Sequence, residues 1–334
     1  MLRTGSRNAT IESVAARAGV SRQTVSNVLN APQRVSPQTA ERVRRAIAEL
    51  GYRPNWMARR LRTRASRVLG FRIQAGGRSG PGNLIDRFLH AVTSHAEKAG
   101  YRLLLFTQSD VDDELATYEE LVGTGTVDGF VVCDVRAGDG RLPWLVERGV
   151  PFACFGRPWG QQVSCAWVDV DGALGISQAV DHLAGQGHGR IAYLGWRPGT
   201  GFGDDRALGW RQAMGRHRLD ITNLQGQADD DVDAGAAEAG RMLAVADPPT
   251  AFVCASDTLA VGVRLATRHG RSVDVVGFDD SPVASLLLPP LSSVRQPLED
   301  VARAIVRLLV EQLDRGAQSA EGVLLPPQLV VRDG

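Results

Sequence analysis

From Val68 to near its end the chain alternates short apolar runs with amphipathic stretches, and few architectures accommodate that pattern. VLGFRIQ (68–74), YRLLLFT (101–107), DGFVVCD (128–134) and PFACFG (151–156) read as buried strands, with helical periodicity near 84–98, 112–123 and 142–148 between them. RIAYLGW (190–196), DITNLQG (220–226), TAFVCAS (250–256) and SVDVVGFDD (272–280) form a second set with helical runs between. Apolar strands separated by helices imply parallel sheets covered on both faces. Two sets predict two doubly wound α/β subdomains. Ligands of such sheets sit beyond the carboxyl ends of the strands. That rule nominates Gln74 with the loop AGGRSGPGN, Phe155 to Arg157, Trp196, Ser256 with Asp257, and Asp279 with Asp280. A ligand held between two lobes is usually small and polar, gripped by carboxylates, arginines and amides against an aromatic face.

The first 66 residues differ in kind. They hold 13 arginines against Glu12, Glu41 and Glu49, while the other 268 residues carry 25 basic and 34 acidic side chains, so a net charge of +1 conceals a basic head on an acidic body. Such a split points to nucleic acid as the partner of the head. Thr10 is a good N-cap, and Ile11, Val14, Ala15 and Ala18 recur at helical spacing up to the stop at Gly19. Ser21 caps a second helix with Val25, Val28 and Leu29 inward and Arg22, Gln23, Ser26 and Asn27 outward. Two helices joined by a tight Gly turn make a helix-turn-helix. Ser36-Pro37 opens a third helix with Val43, Ile47 and Leu50 as its buried stripe and Gly51 as its stop. On this geometry the second helix probes the major groove, with Arg22 and Gln23 at its start best placed for base edges: Arg suits guanine, Gln suits adenine. A small charged protein-interaction module is the competing reading.

GYRPNWMARRLRTRAS (51–66) crowds Arg59, Arg60, Arg62 and Arg64 around Ala58 and Leu61. So short and so charged a segment is a poor isolated helix. Phosphate would relieve the repulsion, so it reads either as a hinge that becomes helical on DNA, with an apolar side chain wedged between base steps, or as a flexible basic linker.

Several classes are disfavoured. No run of 18 apolar residues occurs, and the N-terminus lacks the apolar core of an export signal, which predicts a cytoplasmic protein without a membrane span. Cys133, Cys154, Cys165 and Cys254 are widely spaced within apolar runs and read as buried, reduced thiols. There is no GxxxxGK, GxSxG or HExxH motif; GQGHG does not open a helix after a strand, and His188 reads as a structural turn residue. No enzyme activity, cofactor or metal is expected. A stand-alone sugar-binding protein would not need residues 1–66.

The motifs carry a resemblance. Thr10, Ile11, Val14, Ala15, Ala18 to Ser21, Thr24 to Ser26 and Val28 to Asn30 match the headpiece signature of the lactose-repressor (LacI/GalR) family of bacterial transcription regulators. GYRPN followed by ARRL is similar to the family hinge, and HLAGQGHGRIAYLG, RALGW, ASDTLAVGV, VVGFDD, PPLSSVRQP and LLPPQLVVR resemble family landmarks in family order. The resemblance implies a homodimer on a palindromic double-stranded DNA operator, controlled by a small effector, a mono- or oligosaccharide, between the lobes. It implies a headpiece over 1–52, a hinge over 53–66, one subdomain from 67–167 and 297–321, and a second from 168–296 and 322–334. DNA contacts are expected from Thr10, Ser21, Arg22, Gln23, Thr24, Ser26, Asn27 and Asn30, and around the hinge from Tyr52, Asn55, Ala58, Arg59, Leu61 and Arg62, with Leu61 at the operator centre. Arg206, Ser256 and Asp279 map by motif onto effector positions; Gln74, Arg78, Phe155, Trp196 and Asp257 join them from loops and strand ends. No heptad tail follows LVVR, so no tetramer-forming segment is expected. Three residues depart from the pattern: Ser13 replaces a usual Asp, Asn27 replaces an Arg that commonly reads guanine, and Gly156 replaces an Asp that commonly meets a sugar hydroxyl.

Overall fold

The computed structural model describes residues 9–52, 65–74, 84–108, 111–268 and 272–332, and the chain divides into two units, 1–65 and 66–334. In the first unit, helices α1 (Ile11–Ala18), α2 (Arg22–Asn30) and α3 (Pro37–Leu50) follow from their caps. Thr10 Oγ1 accepts from the Ser13 N–H at 3.2 Å and Ser13 Oγ accepts from the Thr10 N–H at 2.9 Å, a reciprocal box that shows serine filling the capping role expected of aspartate at that position. Gly19, at φ +63°, turns the chain into α2 where a side chain would be strained. Ser21 Oγ then accepts from the Thr24 N–H at 3.1 Å. Val14, Val25 and Val43 are fully buried, with Ala15, Val28, Ala40 and Ala46 around them. The expected stripe of α3 needs correction: Leu50 is 37% exposed and Ile47 only partly buried. Three short helices enclose too little volume for the last turn of α3 to be covered.

The second unit contains two six-stranded sheets. The first has the order β11-β5-β4-β3-β1-β2, all parallel, built from β1 (Val68–Gln74), β2 (Arg102–Gln108), β3 (Gly129–Val132), β4 (Phe152–Phe155), β5 (Ala166–Val170) and β11 (Gly322–Leu325). The second has the order β12-β10-β9-β8-β6-β7, from β6 (Ile191–Gly195), β7 (Gln225–Gln227), β8 (Ala251–Cys254), β9 (Asp274–Phe278), β10 (Ser292–Arg295) and β12 (Gln328–Val330), with only β12 antiparallel. Helices α4 (Leu84–Lys98) and α12 (Leu298–Arg315) cover one face of the first sheet, where Phe71, Phe88, Val92, Val301 and Ile305 are fully buried. Each such side chain contributes roughly 1.5–3 kcal/mol.

This pairing corrects the expected subdomain limits. β5 and β11 both hydrogen-bond within the first sheet, so two crossings fall near Asp171 and Pro327 rather than at 168 and 322, and a third lies between Arg295 and Leu298. DITNLQG is not a strand over its length. Asp220 Oδ1 accepts from the N–H and Oγ1 of Thr222 at 3.0 and 2.8 Å, which closes a turn and delays β7 to Gln225. AWVDV (166–170) and the strands after 290 were not among the expected strands.

Two local devices fix the framework. Asp128 accepts from Ser66 N–H at 2.6 Å, Ser66 Oγ–H at 2.8 Å and Arg67 N–H at 2.7 Å, pinning the start of the unit to the edge of β3. Arg141, buried with Glu114 and Asp139 at 3.1 and 2.6 Å, donates to the Cys133 and Asp134 carbonyls and holds the loop beyond β3. All four cysteines are buried and unpaired, and burial pushes the Cys133 thiol up to about 12. His188 bonds Thr250 at 2.9 Å and Asp274 at 2.8 Å, a tie between a turn and two strand ends. Among the described residues, no helix is long and apolar enough to cross a membrane and no acidic, His or Cys cluster is arranged for a metal ion.

Candidate functional site

In the first unit, Arg22 and Gln23 occupy the first turn of α2, both exposed. Arg22 Nη1 donates to Glu12 Oε1 at 2.6 Å, and Gln23 Nε2 donates to Asn27 Oδ1 at 3.0 Å. Thr24 Oγ1 and Ser21 Oγ lie 2.9 Å apart, so both hydroxyls sit at the cap of α2. Ser26 and Asn27 are half-buried, and Asn30 ends the helix. Thr10 serves first as the cap of α1, while Tyr52 packs partly on the headpiece core, with its N–H donating to the Ile47 carbonyl at 3.0 Å. Asn55, Ala58, Arg59, Leu61, Arg62 and Arg78 lie outside the described residues, as does the side chain of Gln74, whose backbone closes β1.

Among the described residues of the second unit, two arginines tie the lobes together. Arg87 on α4 donates from Nη1 to the backbone carbonyls of Asp279 and Asp280, at 2.8 and 3.0 Å, just beyond β9. Both aspartates hold positive φ, +105° and +45°, an unfavourable backbone that turns these carbonyls toward the first lobe. Arg157, beyond β4, donates to Asp169 on β5 at 2.8 Å and to Asp205 on helix α8 (Phe202–Arg216) of the second lobe at 3.0 Å. Its guanidinium lies 4.1 Å from the Trp159 ring centroid, and Trp159 packs so tightly on Gly201 that no side chain could replace that hydrogen.

Between these ties lies a polar group on an aromatic floor. Arg206, 8% exposed, donates to the Ala255 carbonyl, stands 4.0 Å from the Asp279 carboxylate, and has its guanidinium 3.7 Å from the Phe278 and 5.1 Å from the Trp196 ring centroid. Asp279 Oδ1 also accepts from Gln296 Nε2 at 2.6 Å. Burial, opposed by Arg206, pushes the Asp279 carboxyl up to about 7. Ser256 Oγ donates to Asp230 at 2.5 Å and caps helix α10 (Asp257–Thr267).

Strand ends nominate Trp196, Ser256 and Asp279, the family resemblance nominates Arg206, and the fold brings the four into one neighbourhood. Two other nominees are used differently. Asp257 is 3% exposed and accepts from Ser281 N–H and Oγ–H and from Ser293 Oγ–H at 2.6–2.7 Å, so it anchors the loop that carries Asp279. Phe155 packs in the first-lobe core, 4.7 Å from the Phe88 ring centroid. Sequence reasoning passed over Gln296, Asp230, Asp205, Trp159 and Arg87. Gln296 stood within PPLSSVRQP, just past the end of β10; the others carry no motif and are recruited by the fold.

Family profiles match both units: "Bacterial regulatory proteins, lacI family" over residues 10–55 and "Periplasmic binding protein-like domain" over 180–334. The HTH-type transcriptional regulator CelR of Thermobifida fusca is 35% identical over 343 residues, covering 98% of either chain. The structure of a transcriptional regulator CelR–cellobiose complex superposes with a TM-score of 0.74 at 31% identity, over 97% of this chain and 99% of that one. The lac repressor dimer bound to operator and the anti-inducer ONPF gives 0.80 at 26% identity, over 98% of both chains. These relatives are regulators rather than enzymes, and they share the helix-turn-helix head and the paired parallel sheets. The chain belongs to the lacI family of bacterial transcriptional regulators.

Proposed function

We propose that the chain acts as a repressor whose homodimer binds an inverted-repeat operator and is switched by a mono- or oligosaccharide held between the lobes. The observation that carries the effector assignment is the convergence of Arg206, Asp279 and Gln296 beside Trp196 and Phe278. Hydroxyl-rich rings need neighbouring donors and acceptors together with an aromatic face. With Gly156 in place of the usual aspartate, Asp279 and Asp230 are the carboxylates left to accept from such hydroxyls. The cellobiose of the CelR complex points to the same ligand class.

The exposed start of α2 supplies the operator half of the reading, with Arg22, Gln23 and Asn27 toward the major groove and phosphate contacts supplying most of the affinity. Leu61, which lies outside the described residues, is assigned to the operator centre as the wedge between base steps. Leu286, the last residue of the short helix α11 (Pro282–Leu286), and Leu288 just beyond it, 77% and 94% exposed, suit a surface covered by a second copy. A sugar shifts operator affinity only by its different affinity for the open and closed lobe arrangements.

The test uses the full-length chain on a duplex selected from an inverted-repeat library, titrated with mono- and disaccharides including cellobiose. At least one sugar is expected to change operator affinity by about 5- to 150-fold. Indifference to every sugar overturns the effector assignment; a chain with no salt-sensitive preference for any inverted repeat overturns the operator assignment.

A further inference from the structure

The headpiece carries an ion pair that its packing does not require. Glu12, in the first turn of α1, accepts from Arg22 Nη1 at 2.6 Å, with the two side chains 65% and 68% exposed. A pair that open adds little to folding, so its position is the informative part. Arg22 is the first residue of α2, and a helix side chain leans back toward the N-terminus, so this guanidinium projects beyond the end of the helix. The other two glutamates of the headpiece pair elsewhere, Glu49 with Arg17 and Glu41 with Arg44. A carboxylate on a phosphate-facing surface weakens attraction to DNA.

We propose, on the operator-binding reading above, that Glu12 is a positioning residue for base recognition. By engaging Nη1 alone it leaves the Nε–Nη2 edge of Arg22 free as a two-donor fork, the match for guanine O6 and N7 in the major groove. A long arginine otherwise loses rotamer freedom when it docks. Restraint by Glu12 lowers that loss, and it penalises any base that lacks two acceptors on one edge. Gln23 and Asn27, bonded to each other at 3.0 Å one turn apart, form a separate reading unit that Glu12 does not touch.

The test selects duplexes from a randomised inverted-repeat library with the full-length chain and with its Glu12→Ala, Glu12→Gln, Arg22→Ala and Gln23→Ala variants. Wild type selects guanine at one symmetric pair of positions that becomes indifferent in Arg22→Ala. Glu12→Ala lowers that preference about tenfold, spares the positions that depend on Gln23, and binds nonspecific DNA as tightly as wild type or more so. Glu12→Gln, which keeps an acceptor, retains part of the preference. Circular dichroism melts check that the headpiece stays helical. An unchanged guanine preference in Glu12→Ala overturns the proposal, as does an equal loss at every position, which would leave Glu12 only its place at the positive end of α1. If wild type enriches no inverted repeat, the operator reading falls and takes this proposal with it.

Discussion

Arg157 joins the two lobes through Asp205, its Nη2 donating to the carboxylate at 3.0 Å while its Nε holds Asp169 at 2.8 Å. Asp205 also accepts from the Ala173 N–H at 3.0 Å, so one carboxylate sits where the chain first crosses between lobes and where α8 presents Arg206 beside Asp279. Burial raises the Asp169 carboxyl while Arg157 opposes that rise, as expected of a pair kept largely from water.

Asp205→Asn should loosen this tie. A charge-assisted hydrogen bond contributes about 1.5–3 kcal/mol, so amide exchange at 157–160 and 199–205 is expected to accelerate about tenfold or more, with the sheets unaffected. Unaltered exchange in both segments would show that the lobes are held by other contacts.

Asp279 makes the stability of the second unit pH-dependent. A carboxyl that titrates at about 7 when folded and near 3.9 when unfolded binds more protons folded than unfolded between those values, so its contribution to stability is lost as pH rises through that window. Asp279→Asn removes the titration. In urea unfolding the variant should gain on wild type by on the order of 2–3 kcal/mol between pH 5 and pH 8. Parallel profiles for the two proteins would place the proton elsewhere.

Arg206→Lys keeps the charge beside Asp279 but gives up the planar group between Phe278 and Trp196. Affinity for an effector sugar is expected to fall roughly 10- to 100-fold while affinity for the operator alone stays within about twofold. Calorimetry and operator titration separate the two; retention of full sugar affinity would remove Arg206 from the ligand contact.

Asn27→Arg removes the oxygen that accepts from Gln23 Nε2 and places a guanidinium on the outward face of α2. Base preference should move toward guanine at a single symmetric pair of operator positions, by about 1–3 kcal/mol. A randomised operator library reads this directly, and a preference spread over many positions would argue for a general phosphate contact instead.

Much of this protein is local physics written into short stretches. Caps at Thr10, Ser21 and Ser36, stops at Gly19 and Gly51, and the density of arginine before residue 66 determine a small basic three-helix head, because capping and charge act over a few residues. Alternation of apolar runs with helical stretches likewise determines two largely parallel sheets, and strand-end reasoning reaches Trp196 and Asp279 because strands end where apolar runs end, whereas Arg206, on a helix, is reached only through the resemblance of RALGW.

What the sequence left open depends on pairing at a distance. Whether AWVDV and GVLL join the first sheet or the second is settled by hydrogen bonds between residues some 155 positions apart, and that choice moves the crossings to Asp171 and Pro327. Asp257 and Asp279 are both acidic strand-end residues in sequence. Only folding buries the first among the Ser281 and Ser293 hydroxyls and leaves the second beside Arg206, since a carboxylate's role follows from which donors the tertiary structure brings to it.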